Sequence, residues 1–201
     1  MYFGKSLGRV GADFSALVPH VFQVRMYDLV RSHLERGLET FEKSLRADMF
    51  KQQDSNTTSL MLDISPPDLQ DITSTPPSAL LVFPFVAALT NTFLSAFNEL
   101  RHCALLALRH QLLDVVLRNV LFRTVQVLVE FKQEQTQALY KRNNELRFKY
   151  LLKILHVQFI PYVVTCYGHV WGTRDENRQL KRDCAALIDA VLLKMKNASL
   201  I

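Results

Sequence analysis

Residues 27–49 read YDLVRSHLERGLETFEKSLRADM. Apolar side chains recur there at Tyr27, Val30, Leu34, Leu38, Phe41, Leu45 and Met49. Six steps cover 22 residues, about 3.7 per step, which is the period of an α-helix and not the alternation of a strand. The remaining face carries Arg31, Glu35, Arg36, Glu39, Glu42, Lys43 and Arg46. One narrow stripe with a charged back belongs to a helix that packs on one side only. The helix is expected from about Pro19, whose missing N–H costs nothing in a first turn, to about Phe50.

Working outward, residues 5–19 hold Gly8 and Gly11 and read as a short or frayed helix that Asp13 can cap. Residues 51–78 carry Pro66, Pro67, Pro76 and Pro77 among many Ser, Thr, Asp and Gln, and read as a flexible linker or long loop. Helical pattern resumes near Pro84 and runs to about His102. A third helix is expected over 105–139. Leu105, Leu108, Leu112, Val116, Val120, Val127 and Phe131 are joined there by Leu113, Leu117, Leu121, Phe122, Val125 and Leu128. Apolar residues on most of the circumference make it the expected central helix, with a polar end over 130–141 that protrudes. A fourth helix begins near Asn143 or Asn144, is kinked or restarted by Pro161, and ends at Gly168 and Gly172. A last one spans about 175–196, with Leu180, Cys184, Leu187, Ile188, Val191 and Leu192 on one face.

The expectation is therefore an all-α fold: an elongated antiparallel helical bundle of about five helices with one long proline-containing loop. Its parts are an N-terminal helical segment over 1–50, the loop over 51–78, and a bundle over 79–201. Composition agrees. Hydrophobic residues make up 49% of the 201, enough for a core, and glycine is scarce at 6, where a sandwich of tight turns needs more. No 20–50-residue repeat marks a solenoid.

The net charge of +5 comes from 24 basic and 19 acidic residues spread along the chain. Lys141, Arg142, Arg147 and Lys149 are the densest basic group, but Asn and Glu interrupt them, so no nucleic-acid stripe is expected. Cys103, Cys166 and Cys184 lack disulfide or zinc-finger spacing and fit a reducing compartment. The sequons at Asn56 and Asn197 are common by chance. No signal peptide pattern opens at Met1.

Residues 79–97 carry no charge over 19 positions, and residues 154–171 carry none over 18. Both approach the length of a membrane span. Pro84, Asn91 and Ser95 in the first, and His156, Gln158 and His169 in the second, are costly in hydrocarbon. Buried helices of a bundle are the preferred reading, and a membrane-embedded helical protein is the alternative.

Catalytic patterns are missing from the sequence, so no enzyme is expected, and no catalytic, cofactor-binding or metal residue is assigned. Gly4-Lys5-Ser6 lacks the rest of a phosphate loop and a preceding strand. Cys166 and His169 near His156 fall short of four zinc ligands. His102 and His110 have no triad pattern beside them. Asp114 reads as a partner for Arg118 four residues on.

Two regions carry a resemblance. One is Tyr2-Phe3-Gly4-Lys5-Ser6-Leu7-Gly8-Arg9-Val10-Gly11-Ala12-Asp13-Phe14, followed by Leu17, Pro19, Val21 and Phe22. The other is Pro76-Pro77 leading to Leu80-Leu81-Val82-Phe83-Pro84, then Asn91 and Ala96-Phe97-Asn98-Glu99-Leu100-Arg101. Both resemble the C-terminal half of the family of eighth subunits of the conserved oligomeric Golgi complex, over about residues 2–165. The resemblance implies a helical-rod protein, peripheral on the cytosolic face of the Golgi membrane. Its partners would be the other subunits of that complex, together with vesicle fusion or coat proteins, and not nucleic acid. It also implies a longer protein, with an N-terminal coiled region that joins the lobes of the complex. A scaffold cut from its neighbours exposes apolar strips, and the row from Tyr27 to Met49 is the strip expected to be bare.

Overall fold

The computed structural model describes residues 17–51, 75–102, 105–136 and 142–171, with Arg182 and Ala186. The described residues form helices and their short connections, without strands, so the fold is all-α. Helix α1 is Leu17–Lys51 and helix α2 is Pro84–His102. A 3-10 turn, Ser78–Val82, leads into α2. Helix α3 covers 109–136 behind a 3-10 turn at Leu106–Leu108, and helix α4 covers 142–171. Residues 1–16 and 52–74, the latter most of the expected loop over 51–78, lie outside the described residues, as does the expected last helix over 175–196 apart from Arg182 and Ala186.

Periodicity placed α1 and α2 well. Pro19 falls in the first turn of α1 and Pro84 opens α2, where a missing N–H and a fixed φ suit the geometry. Leu80 donates its N–H to Pro77 O at 3.0 Å, and Val86 and Ala87 donate to Phe83 O at 2.9 and 3.1 Å. Ser78–Val82 and α2 are therefore separate elements that meet at Phe83, whose backbone is extended. Residues 79–97 are not one helix.

Ring contacts set the directions. Phe41 meets Phe85 edge-on at 5.6 Å, and Gly37 lies against Thr92, so α1 and α2 are antiparallel. Along α2 and α4 the pairs ascend together: Phe83 with Tyr150 at 6.1 Å, Phe93 with Phe159 at 5.8 Å, Phe97 with Tyr167 at 5.7 Å. These two helices run the same way. Helices α3 and α4 are antiparallel, with Phe131 stacked on Phe148 at 6.2 Å and Tyr167 Oη donating to Arg109 O at 2.5 Å. Sequential helices thus alternate up and down, while α1 and α3 lie side by side in the same sense.

The core collects Val30, Leu34, Phe41 and Leu45 of α1, with Tyr27 and Leu38 packed partly against it. The row expected to be bare is therefore the buried seam with α2. A stripe of that regularity is what α2 needs to bury its own Phe85, Leu89, Phe93 and Ala96.

Helix α4, not α3, is the most enclosed. Of its most apolar 18 residues, 67% are buried among the other helices. Phe148, Leu151, Leu152, Ile154, Leu155, Phe159 and Val163 are all within 1% of full burial. This is the described helix long and apolar enough to cross a membrane, Arg147–Trp171. Its burial against its neighbours is that of a bundle core and disfavours the membrane alternative.

Three further expectations are corrected. Helix α4 does not restart at Pro161. A π-helical turn, Leu155–Phe159, precedes it and includes Val157, the carbonyl that the proline ring would strike and cannot bond. Gly168 does not end the helix but is buried within it; α4 continues to Trp171, and Gly172, the other expected end, lies outside the described residues. The polar end of α3 does not protrude over 130–134. Phe131 is buried, and Glu134 pairs with Arg46 of α1. A second π-helical turn, Leu112–Leu117, interrupts α3; we have no physical cause for it.

Candidate docking surface

One charged side chain is locked into the helix junction. Arg147 of α4 is 9% exposed, donates from Nη2 to Asp48 Oδ2 at 2.8 Å, and lies over the Phe83 ring at 5.5 Å. It ties α1, α4 and the lead into α2 together. A buried guanidinium with a carboxylate and an aromatic face is fully occupied in holding the fold. Arg46 links α1 to α3 through Glu134, and Glu42 at 3.2 Å supports it.

The chemistry-bearing residues weighed in the sequence are dispersed. His102, His110 and His169 are exposed and His156 is half-buried. Among the described residues no group of three His, Cys, Asp or Glu could hold a metal ion. Cys166 is half-buried and hydrogen-bonded to Tyr162; burial pushes the thiol up, and burial first and Cys166 second push the Tyr162 phenol up. Burial also raises Tyr150. All three groups are held neutral, which suits packing and not nucleophilic attack. Gly4, Lys5 and Ser6, Asn56, Asn197, Cys103, Cys184 and the side chain of Asp114 lie outside the described residues.

Surface chemistry concentrates on α1. Its 35 residues rise about 52 Å, against about 28 Å for the 19 residues of α2. Ten residues of α2 follow Thr92, and the same rise carries α1 from Gly37 back to Tyr27. The turns of α1 before Tyr27 therefore have no α2 beside them. There Val21, Phe22 and Val24 are 57%, 56% and 47% exposed, and Leu29 follows at 48%. Single exposed apolar residues are ordinary, but Phe22 and Leu29 fall within about 20° of each other on one face, while Val21 and Val24 stand about 80–160° round the helix from them. Nothing in the periodicity of 27–49 reveals this face, since these residues fall outside that row or on its edge. The sequence signal available was the cluster Val21, Phe22 and Val24 ahead of the row.

Beside this face, α1 and α2 enclose a groove of about 280 Å³. Helix α1 lines it with His33, Arg36, Thr40 and Ser44, and α2 with Phe85 and Leu89. The helices are in close contact at Gly37, where an added Cβ would run into Thr92.

The described molecule is thus a helical packing unit with one bare helix end and one lateral groove. Comparison with known proteins finds its relatives. The chain is 34% identical over 171 residues to conserved oligomeric Golgi complex subunit 8 of Drosophila melanogaster. The chain is a homologue of subunit 8 of the conserved oligomeric Golgi complex. That match covers 85% of the chain. The subunit 8 proteins of Bos taurus and Homo sapiens are 30% and 28% identical over 166 residues, each match covering 83% of the chain. The matches lie in the C-terminal part of these subunit 8 proteins and span 29%, 26% and 27% of their lengths in the fly, cattle and human proteins. No family model matches the chain, and no solved structure does. Their name makes these relatives members of a multi-subunit complex of the Golgi.

Proposed function

We propose that this chain is a non-catalytic docking module of a Golgi vesicle-tethering complex, supporting intra-Golgi retrograde vesicle transport and Golgi organisation. The observation that carries the reading is the bare end of α1, where exposed Phe22 and Leu29 share one face of a helix whose apolar row from Val30 to Leu45 is buried. An apolar patch on a rigid helix is matched by the apolar face of a neighbouring helix. The partners are the other subunits of the complex, with vesicle fusion or coat proteins as further contacts. The module acts peripherally, on the cytosolic face of the Golgi membrane. The unit divides functionally into the N-terminal helical segment over 1–50, which docks, the loop over 51–78, and the bundle over 79–201, which supports it.

Carbonate extraction of Golgi membranes from cells expressing the tagged chain tests the peripheral reading. Release into the supernatant is expected. Retention in the pellet would overturn it and return Arg147–Trp171 to consideration as a span.

A further inference from the structure

The groove and the bare end of α1 belong to one surface. At 100° per residue, Phe22, Met26, Leu29, His33, Gly37 and Ser44 fall within about 80° of the helix circumference. Phe22 and Leu29 are exposed, Met26 is half-buried, and the stripe runs straight into the groove. Beside it stands a second row, Arg25, Arg36 and Lys43, within about 20° of one another. All three are exposed. Their α1 neighbours are paired elsewhere, Arg31 with Glu35 and Arg46 with Glu42 and Glu134, while among the described residues none of these three has an ion-pair partner. Among the described residues no carboxylate lines the groove.

We propose that this surface docks an acidic amphipathic helix of another chain. The partner's apolar residues lie along Phe22, Met26 and Leu29 and enter the groove over Phe85 and Leu89, and its carboxylates face Arg25, Arg36 and Lys43. The inference rests on the docking reading above and names the partner's chemistry. The groove, about 280 Å³, lies at the low end of small-molecule sites, which run from roughly 300 to 1,000 Å³. Shape decides against a bilayer, because a concave slot between two helices accepts projecting side chains and a lipid surface does not fill it. From His33 to Ser44 the groove extends about 16 Å along α1, room for three turns of a partner helix.

The test uses the 201-residue chain and two designed amphipathic peptides with the same leucine stripe, one flanked by Glu and one by Lys, with binding read by fluorescence anisotropy. The Glu peptide is expected to bind about eightfold tighter, the product of three exposed pairs worth roughly twofold each. That preference should collapse at high salt. The charge-reversed variant Arg36→Glu/Lys43→Glu should favour the Lys peptide. Ala88→Arg, which fills the groove from an exposed position, should weaken both. Equal binding of the two peptides, binding of neither, or binding only to phosphatidylserine vesicles would overturn the proposal. Recovery of sister subunits alongside any of those results would remove this inference and leave the docking reading standing.

Discussion

Gly37→Ala tests the α1–α2 seam. An alanine methyl there would stand 2.4 Å from Thr92 Cγ2 and 2.9 Å from both Thr92 Cβ and Thr92 Oγ1. Turning the threonine moves Cγ2 and Oγ1, at the expense of the hydrogen bond from Oγ1 to Ala88 O at 3.1 Å. It cannot move Cβ, which is fixed to the backbone of α2, so the helices must part. Replacing glycine by alanine within a helix ordinarily stabilises by about 1 kcal/mol. Forcing an extra methyl into a packed contact costs about 1–3 kcal/mol. At about 2 kcal/mol of overpacking, the balance is a net loss of about 1 kcal/mol, with the clash outweighing propensity. Urea denaturation followed by circular dichroism measures it. The same change in a Thr92→Ala background should cost at least about 0.5 kcal/mol less, because two of the three close atoms are gone and neighbouring sites couple by that amount. A Gly37→Ala protein stabilised by the full propensity gain, or an identical effect in both backgrounds, would refute the close approach.

Asp48→Ala should destabilise by about 1.5–3 kcal/mol, the range for a hydrogen bond to a charged partner, since it strands the Arg147 guanidinium over Phe83. Arg147→Met in the same denaturation assay should cost less, because it removes the buried charge instead of orphaning it; the reverse order would contradict the packing described. Stability should also fall in alkali. Cys166 and Tyr162 have folded-state pKa values raised above their unfolded ones. Their contribution is fully present below the unfolded values, about 8.5 for Cys and about 10 for Tyr, and is lost as pH rises through the folded ones. A melting temperature unchanged from pH 8 to pH 11 would contradict the burial of this pair, and Cys166→Ala should flatten the lower part of the decline.

The regular apolar row made α1 legible, and Pro19 and Pro84 located two helix starts, because period and backbone chemistry are local properties. What covers a face is not local. The same row fits a bare strip and a buried seam, and only the arrival of Phe85, Leu89 and Phe93 from α2 decides between them. Circumferential apolarity likewise pointed to α3 as the centre, whereas α4 is more enclosed because two aromatic-rich neighbours, α2 and α3, close on it. The polar end of α3 looked free because Glu134 finds its partner Arg46 at a separation of 88 residues. Pro161 was legible as a disturbance but not in form, since a widened turn accommodates it without ending the helix. The docking surface was the least legible part. Its apolar residues look like the start of the buried row until the shorter reach of α2 leaves them bare.

The most direct measurement is a pull-down from cell lysate with the tagged 201-residue chain, compared with Phe22→Asp/Leu29→Asp and quantified by mass spectrometry for the other subunits of the complex. Both substituted residues are exposed, so the variant should fold and melt within about 0.5 kcal/mol of the parent. Sister subunits should be recovered by the parent and fall at least about tenfold with the variant, as expected when central contacts of an interface are lost. Equal recovery by both, or no recovery by a folded parent chain, would contradict docking through the bare end of α1.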